Sequence, residues 1–305
     1  MLTKYILTTI VYYDVMDYPM TAFEIWKYLT RVSGEDENIE KFSLADVVKG
    51  LEDEKLRRFI EEYRGFYFLQ GRKNLVFQRS ERNKISVRKI KIVKRVVFWL
   101  RFVPFVRGVA IAGRLAMKNA EEKSDLDLLI VLKKHRIFTG RLLVTLLVQL
   151  LGKRRHDQKV RDRICLNHFV TTKYSILSKD LFSAHEYSFL MPIFGLKKFR
   201  KFQVKNDWIA KYKINSSSFS DNVYIVSDTR ITKFIRKNLE KLLKFNSMEN
   251  FLGQWQKEKI AKNPKSKQKG GIILCNDEEL AFWPNFAQQG PRVFGEFQKR
   301  LSGLK

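Results

Sequence analysis

The sequence predicts an α/β protein: a central domain with a small mixed sheet, preceded by a module of three helices and a hairpin and followed by a mainly helical extension. Three observations carry this. Short aliphatic runs alternate with helical stretches through Val109–Ala112, Leu126–Leu132 and Ile164–Thr171, as strands separated by helices do. Capping and turn signals crowd the first 70 residues. Charge also steps sharply along the chain. Residues 1–64 hold 9 basic and 13 acidic side chains, whereas residues 65–101 hold 11 basic side chains against Glu81 alone. A boundary near Phe68–Ser80 follows, and the chain divides into 1–78, 79–210 and a basic helical extension at 211–305.

Within the first module, Leu2, Ile6, Ile10 and Tyr13 recur at helical spacing and Pro19 ends the segment. Thr21 and Glu24 form a capping box ahead of Ile25, Trp26 and Leu29, and Ser43 caps the run Leu44, Val47, Val48 and Leu51. Phe59–Leu69 reads as a hairpin turning at Arg64 and Gly65. Three helices and a hairpin in this order resemble a winged helix. Glu52, Asp53 and Glu54 beside Lys55 do not suit a helix that must approach phosphates, so partner docking is expected ahead of DNA reading.

Ser80–Leu100 carries Ile85, Ile90, Val93, Val96, Val97 and Leu100 and predicts an amphipathic helix with a cationic outer face, stopped by Pro104. A buried helix ends near Gly152, and Ser183–Trp208 reads as helical and aromatic-rich. Asn215–Ser220 is a polar break, Ile231–Ile260 a long basic amphipathic helix, and Lys262–Gly271 a Lys and Gly linker. A strand at Gly271–Leu274 and a short helix at Val293–Leu301 close the chain.

Composition bounds the function. The chain has 305 residues, 45% apolar and 30% charged, with 15 Gly and 6 Pro, which excludes disordered and collagen-like classes. A net charge of +27 implies polyanionic partners: nucleotides, nucleic acid or anionic lipid. Cys165 and Cys275 lack any C-x-x-C spacing, so neither a disulfide framework nor a cysteine zinc site is expected, and a reducing cytoplasm fits. Leu142–Leu151 is about half the ~20 residues needed to span a bilayer, so no transmembrane segment is expected. The sequence contains neither G-x-x-x-x-G-K-[ST] nor G-x-G-x-x-G, which removes the usual support for P-loop or Rossmann chemistry.

The chemistry concentrates in Val109–Leu132. A short apolar strand ends at Gly113, eleven residues follow, and then Asp125-Leu126-Asp127 enters the next strand. Strand side chains alternate, so Asp125 and Asp127 project to one face. Two adjacent carboxylates repel unless a cation lies between them, and a hard divalent ion is the natural one. Magnesium fills the rest of its octahedron with water and phosphate oxygens, which makes such a pair suited to phosphate chemistry. Gly113 at a strand-to-helix turn lets phosphates approach the backbone.

This arrangement resembles the DNA polymerase beta-like nucleotidyltransferase superfamily, whose signature is an apolar strand, Gly-Ser, roughly ten residues and D-x-D on the next strand. The resemblance covers about 100 residues, from near Ser80 to near Thr171. It implies a nucleotidyltransferase fold in which Asp125 and Asp127 hold two Mg2+ ions, with Gly113, Arg114 and Ser124 beside a nucleoside triphosphate. An acceptor hydroxyl would attack the α-phosphorus and pyrophosphate would leave. The acceptor could be a nucleic acid, and the alternative is a catalytically silent relative that binds nucleic acid through its basic portion. Two positions depart from the pattern: Arg114 replaces the family's serine, and Asn167 and His168 stand where many members carry a third acid. Asp157, Asp162 and Glu186 are the acids left to fold inward.

Blander readings compete at each position. A D-x-D alone is usually a polar loop ahead of a buried strand, and its spacing from Gly113 favours the metal site. Arg114 is as well explained as a surface cation. Lys153, Arg154 and Arg155 are expected to cap the preceding helix, with phosphate neutralisation the sharper alternative. His135, His156, His168 and His185 lack metal-ligand spacing and are assigned ordinary hydrogen-bonding roles.

Overall fold

The computed structural model describes residues 1–32, 41–156, 158–216, 224–267, 271–283 and 286–303. Asp157, part of the polar break at Asn215–Ser220 and part of the Lys262–Gly271 linker lie outside them.

The N-terminal elements follow the sequence closely. Helix α1 (Leu2–Asp14) leads through strand β1 (Met20–Thr21) to α2 (Ala22–Lys27), and α3 (Leu44–Leu51) and α4 (Glu54–Arg57) precede the hairpin β2 (Ile60–Tyr63) and β3 (Phe66–Leu69). Both capping boxes form: Thr21 and Ser43 accept the amides of Glu24 and Asp46, whose carboxylates accept the cap amides in return. Arg64 and Gly65 turn with positive φ, as a two-residue hairpin loop requires. The strands form a three-stranded antiparallel sheet in the order β1-β3-β2.

Helix α5 (Asn74–Leu100) begins six residues earlier than the sequence suggested and leads into β4 (Val106–Ile111). After α6 (Gly113–Ala116) come β5 (Leu126–Leu132), α7 (Ile137–Leu150) and β6 (Ile164–Thr171). The crossover through α7 makes β5 and β6 parallel. Strands β5 and β6 have the bounds read from the sequence, because each carries β-forming apolar residues at the centre of the sheet.

The remaining chain differs more. Ser183–Trp208 is not one helical stretch: α8 (Leu181–Ser188) is followed by strand β7 (Met191–Phe194), α9 (Leu196–Lys205) and a 3-10 turn. Met191-Pro192-Ile193-Phe194 lies at the sheet edge, where a proline without an N–H is tolerated. Ile231–Ile260 divides into α10 (Arg230–Leu242) and α11 (Asn246–Lys262). Arg136 fixes the break by donating to the Lys244 carbonyl and to Asn246 Oδ1. Strands β8 (Ile272–Cys275) and β9 (Glu279–Trp283) precede α12 (Phe286–Ser302). They extend the central sheet to six strands, β7-β4-β5-β6-β9-β8, mixed because only β5 and β6 run parallel.

The modules are tied by a buried knot. The Lys213 ammonium nitrogen, fully buried, reaches Tyr13 Oη at 3.1 Å and Thr30 Oγ1 at 2.8 Å, while His185 Nδ1 lies 3.2 Å from Tyr13 Oη. Burial holds Lys213 well below the usual lysine range, and burial with Lys213 nearby lowers His185. No helix among the described residues is long and apolar enough to cross a membrane.

Candidate metal and nucleotide site

The site forms where β4 leaves the sheet beside the start of β5. Ala112 N–H donates to the Asp127 carbonyl at 3.0 Å, which prolongs the β4–β5 ladder past the strand end. The next residue, Gly113, turns with φ +60° into α6. A Cβ at Gly113 would stand 3.2 Å from Asp127 Oδ2. Both the left-handed backbone and the close carboxylate therefore require glycine here. Gly113→Ala is expected to cost about 1–3 kcal/mol in stability and to displace Asp127, read as a lowered melting temperature with weakened divalent-ion binding.

Asp125 precedes β5 and Asp127 is its second residue. The structure brings their carboxylates together with Cys165 of β6, with candidate ligand atoms all within 4.8 Å of one another. Strand register sets Cys165 opposite Asp127, and alternation returns Asn167 to the same face. Asn167 Nδ2 donates to Asp127 Oδ1 at 3.0 Å. His168 points elsewhere, with Nε2 3.0 Å from Glu279 Oε1 of β9.

Of the acids left open by the sequence that fall among the described residues, Glu186 reaches the site. It projects from α8, accepts the Gly113 N–H and feels the Asp127 charge. Asp162 is instead held by Lys89 Nζ at 2.7 Å. Burial and the neighbouring Asp125 push Asp127 up to about 7, against the opposing effects of Cys165, Arg155 and Asn167. Burial and Asp127 push Glu186 up to about 7 as well. The Cys165 thiol is raised further by burial and both aspartates, and it donates to Asp127. The cluster thus offers two carboxylates and one thiol to a cation.

Three flanking cations take positions that the sequence did not specify. Arg155 Nη1 lies 2.5 Å from Asp125 Oδ2 and 3.6 Å from Cys165 Sγ. Gly152, with φ +61°, closes α7 as Lys153 N–H returns to the Val148 carbonyl, so the triplet begins by capping that helix through its backbone. The triplet then runs beside β6, where Arg155 N–H donates to the Ile164 carbonyl. Lys89 of α5, fully buried, donates to the Glu122 and Ser124 carbonyls at 3.0 and 2.8 Å as well as to Asp162. It thereby staples the turn that delivers Asp125. Arg82, also buried, reaches Asn119 Oδ1 and Glu121 Oε1 earlier in that turn.

Arg114 and Ser124 sit at the margin. Arg114 is exposed and pairs with Glu121 at 2.7 Å, and Ser124 Oγ donates to the Glu121 carbonyl at 2.8 Å. A cavity of about 810 Å3 opens beyond α6, between the N-terminal module and α5. Its lining includes Arg64, Phe66, Arg79, Met117, Lys118 and Phe189, but neither aspartate. The chain matches no protein-family model, no curated protein and no solved structure.

Proposed function

We propose that the protein is a metal-dependent nucleotidyltransferase that moves a nucleoside monophosphate from an NTP to an acceptor hydroxyl. The observation that supports this reading is the pairing of Asp125 and Asp127 at the entry to β5 beside the Gly113 bend, with Glu186 of α8 accepting the Gly113 amide and feeling the Asp127 charge. Asp125 and Asp127 would hold two Mg2+ ions, which when bound neutralise charge developing on the transferred phosphoryl group. Asn167 orients Asp127 through its amide. Glu186 occupies the Gly113 amide and shares the function of a third acid, and Arg155 leaves Asp125 to meet the triphosphate. The N-terminal module, read as winged-helix-like, forms one wall of the cavity beyond α6, from which an acceptor would approach.

Incubation with α-labelled and γ-labelled NTP in Mg2+ tests the proposal. Transfer of the α label to an acceptor, with the γ label released as pyrophosphate, is expected. Absence of both Mg-NTP binding and α-label transfer across RNA, protein and small-molecule acceptors sinks it.

One observation favours a second reading, a catalytically silent protein that binds nucleic acid. Arg155 already neutralises Asp125, so the carboxylates have an internal counter-ion. Under that reading, nucleic-acid affinity falls by about 0.7–0.9 logarithmic units per decade of salt for each phosphate neutralised and is indifferent to loss of either aspartate.

A further inference from the structure

Helix α10 is packed inside out. Its protein-facing side is polar: buried Arg236 donates to the Arg101 carbonyl at 2.6 Å and pairs with Asp228 at 2.6 Å. One turn on, Glu240 receives the Phe105 N–H at 3.0 Å and a two-pronged contact from Arg107 at 2.7 and 2.8 Å. The apolar side faces solvent, with Ile231 70%, Phe234 67% and Leu242 69% exposed. Helix α11 repeats the arrangement. Buried Glu249 accepts the Phe138 and Thr139 amides and buried Gln256 bonds the Phe138 carbonyl, while Phe251 and Trp255 stand exposed. An amphipathic helix normally turns its apolar stripe to the core. Here ion pairs hold α10 the other way round.

The charges beside that stripe identify what it meets. At 100° per residue, Arg230, Lys233, Lys237 and Lys241 form a row along one edge of the Ile231, Phe234, Ile235 and Leu242 stripe, and Lys244 follows the helix. The helix's acid, Glu240, is turned inward and paired. We propose that α10 docks on an anionic lipid surface, its apolar side chains entering the boundary between headgroups and acyl chains and its cationic row meeting lipid phosphates. Such helices lie in the interface plane about 5–10 Å deep and need no span. A second copy of the chain fits less well, because an antiparallel two-fold contact through this stripe sets like-charged rows near one another. A nucleic-acid backbone matches the cations but leaves Ile231 and Leu242 without an apolar counterpart. The inference is independent of nucleotidyl transfer.

Co-sedimentation of the full chain with phosphatidylcholine vesicles, with and without about one-third phosphatidylglycerol, tests it. Binding is expected only to the anionic vesicles and should weaken as salt rises. Phe234→Ser with Leu242→Ser changes only exposed side chains and is expected to weaken binding about tenfold or more. Lys233→Glu, Lys237→Glu and Lys241→Glu together should weaken it at least as far, at about fivefold for each cation lost. Three outcomes overturn the proposal. One is no binding to anionic vesicles at low salt, and another is a serine variant that binds them as the parent does. The third is a parent dimer that the serine variant converts to monomer, which would assign the face to a second copy.

Discussion

The Asp125→Asn, Asp127→Asn double variant is expected to lose α-label transfer by about a thousandfold or more while becoming more stable than the parent at pH 8 without divalent ions. The two effects share one cause. Asp127 moves from an ordinary 3.8 up to about 7 and Glu186 from 4.5 up to about 7 in the folded chain. Between those values the folded chain holds protons that the unfolded chain has released. The stabilising contribution is therefore full below about pH 4 and is lost as pH rises through about 7. Asp127 retains partial solvent access, so the penalty at pH 8 is on the order of 2 kcal/mol rather than that of a sealed carboxylate. The asparagines remove that penalty, and Mg2+ offsets it in the parent. Thermal unfolding at pH 5 and pH 8, with and without Mg2+, reads both. A parent equally stable at the two pH values, unmoved by Mg2+ and matched by the variant, would contradict the crowded-carboxylate account.

Lys89→Met is expected to cost about 3–5 kcal/mol, because it leaves the Asp162 carboxylate and the Glu122 and Ser124 carbonyls without their buried donor. For a protein of this size that corresponds to a fall in melting temperature of about 5–8 °C. Asp162→Asn should cost less, since Lys89 keeps both carbonyls and the amide oxygen can still accept. Divalent-ion binding should fall further in the lysine variant than in the asparagine variant, because Lys89 holds the turn that delivers Asp125. A Lys89→Met melting curve that overlays the parent's would remove Lys89 from that role.

The aspartate pair was legible because strand alternation and an apolar run are local properties: Leu126–Leu132 reads as a strand on its own, and Asp127 then has one face to occupy. The capping boxes and the hairpin were legible for the same reason. The site's supports were not, because long-range packing assigns them. Lys89 looked like part of the cationic face of α5, yet Arg82, Ser86, Lys89, Val93, Val96 and Leu100 are one buried stripe. Extending the Val93–Leu100 stripe backwards at steps of three and four would have found it. Glu186 carried no such signal, since its role depends on α8 folding over Gly113. Strand β9 was hidden by Glu279, a buried acid bonded to His168 and to the Leu177 amide inside a short run that otherwise reads as apolar.

The Lys213, Tyr13 and His185 knot also governs how the chain can be divided. Separating residues 1–78 from the rest would strip Lys213 of both its oxygen partners and expose Tyr13, while His185, next to Glu186, would lose its contact. The first module thus behaves less as an appendage than as a keystone: domain swapping or trimming at that border reaches the acids both through the Tyr13 phenol and through Asn119, whose amide donates to the Met16 carbonyl.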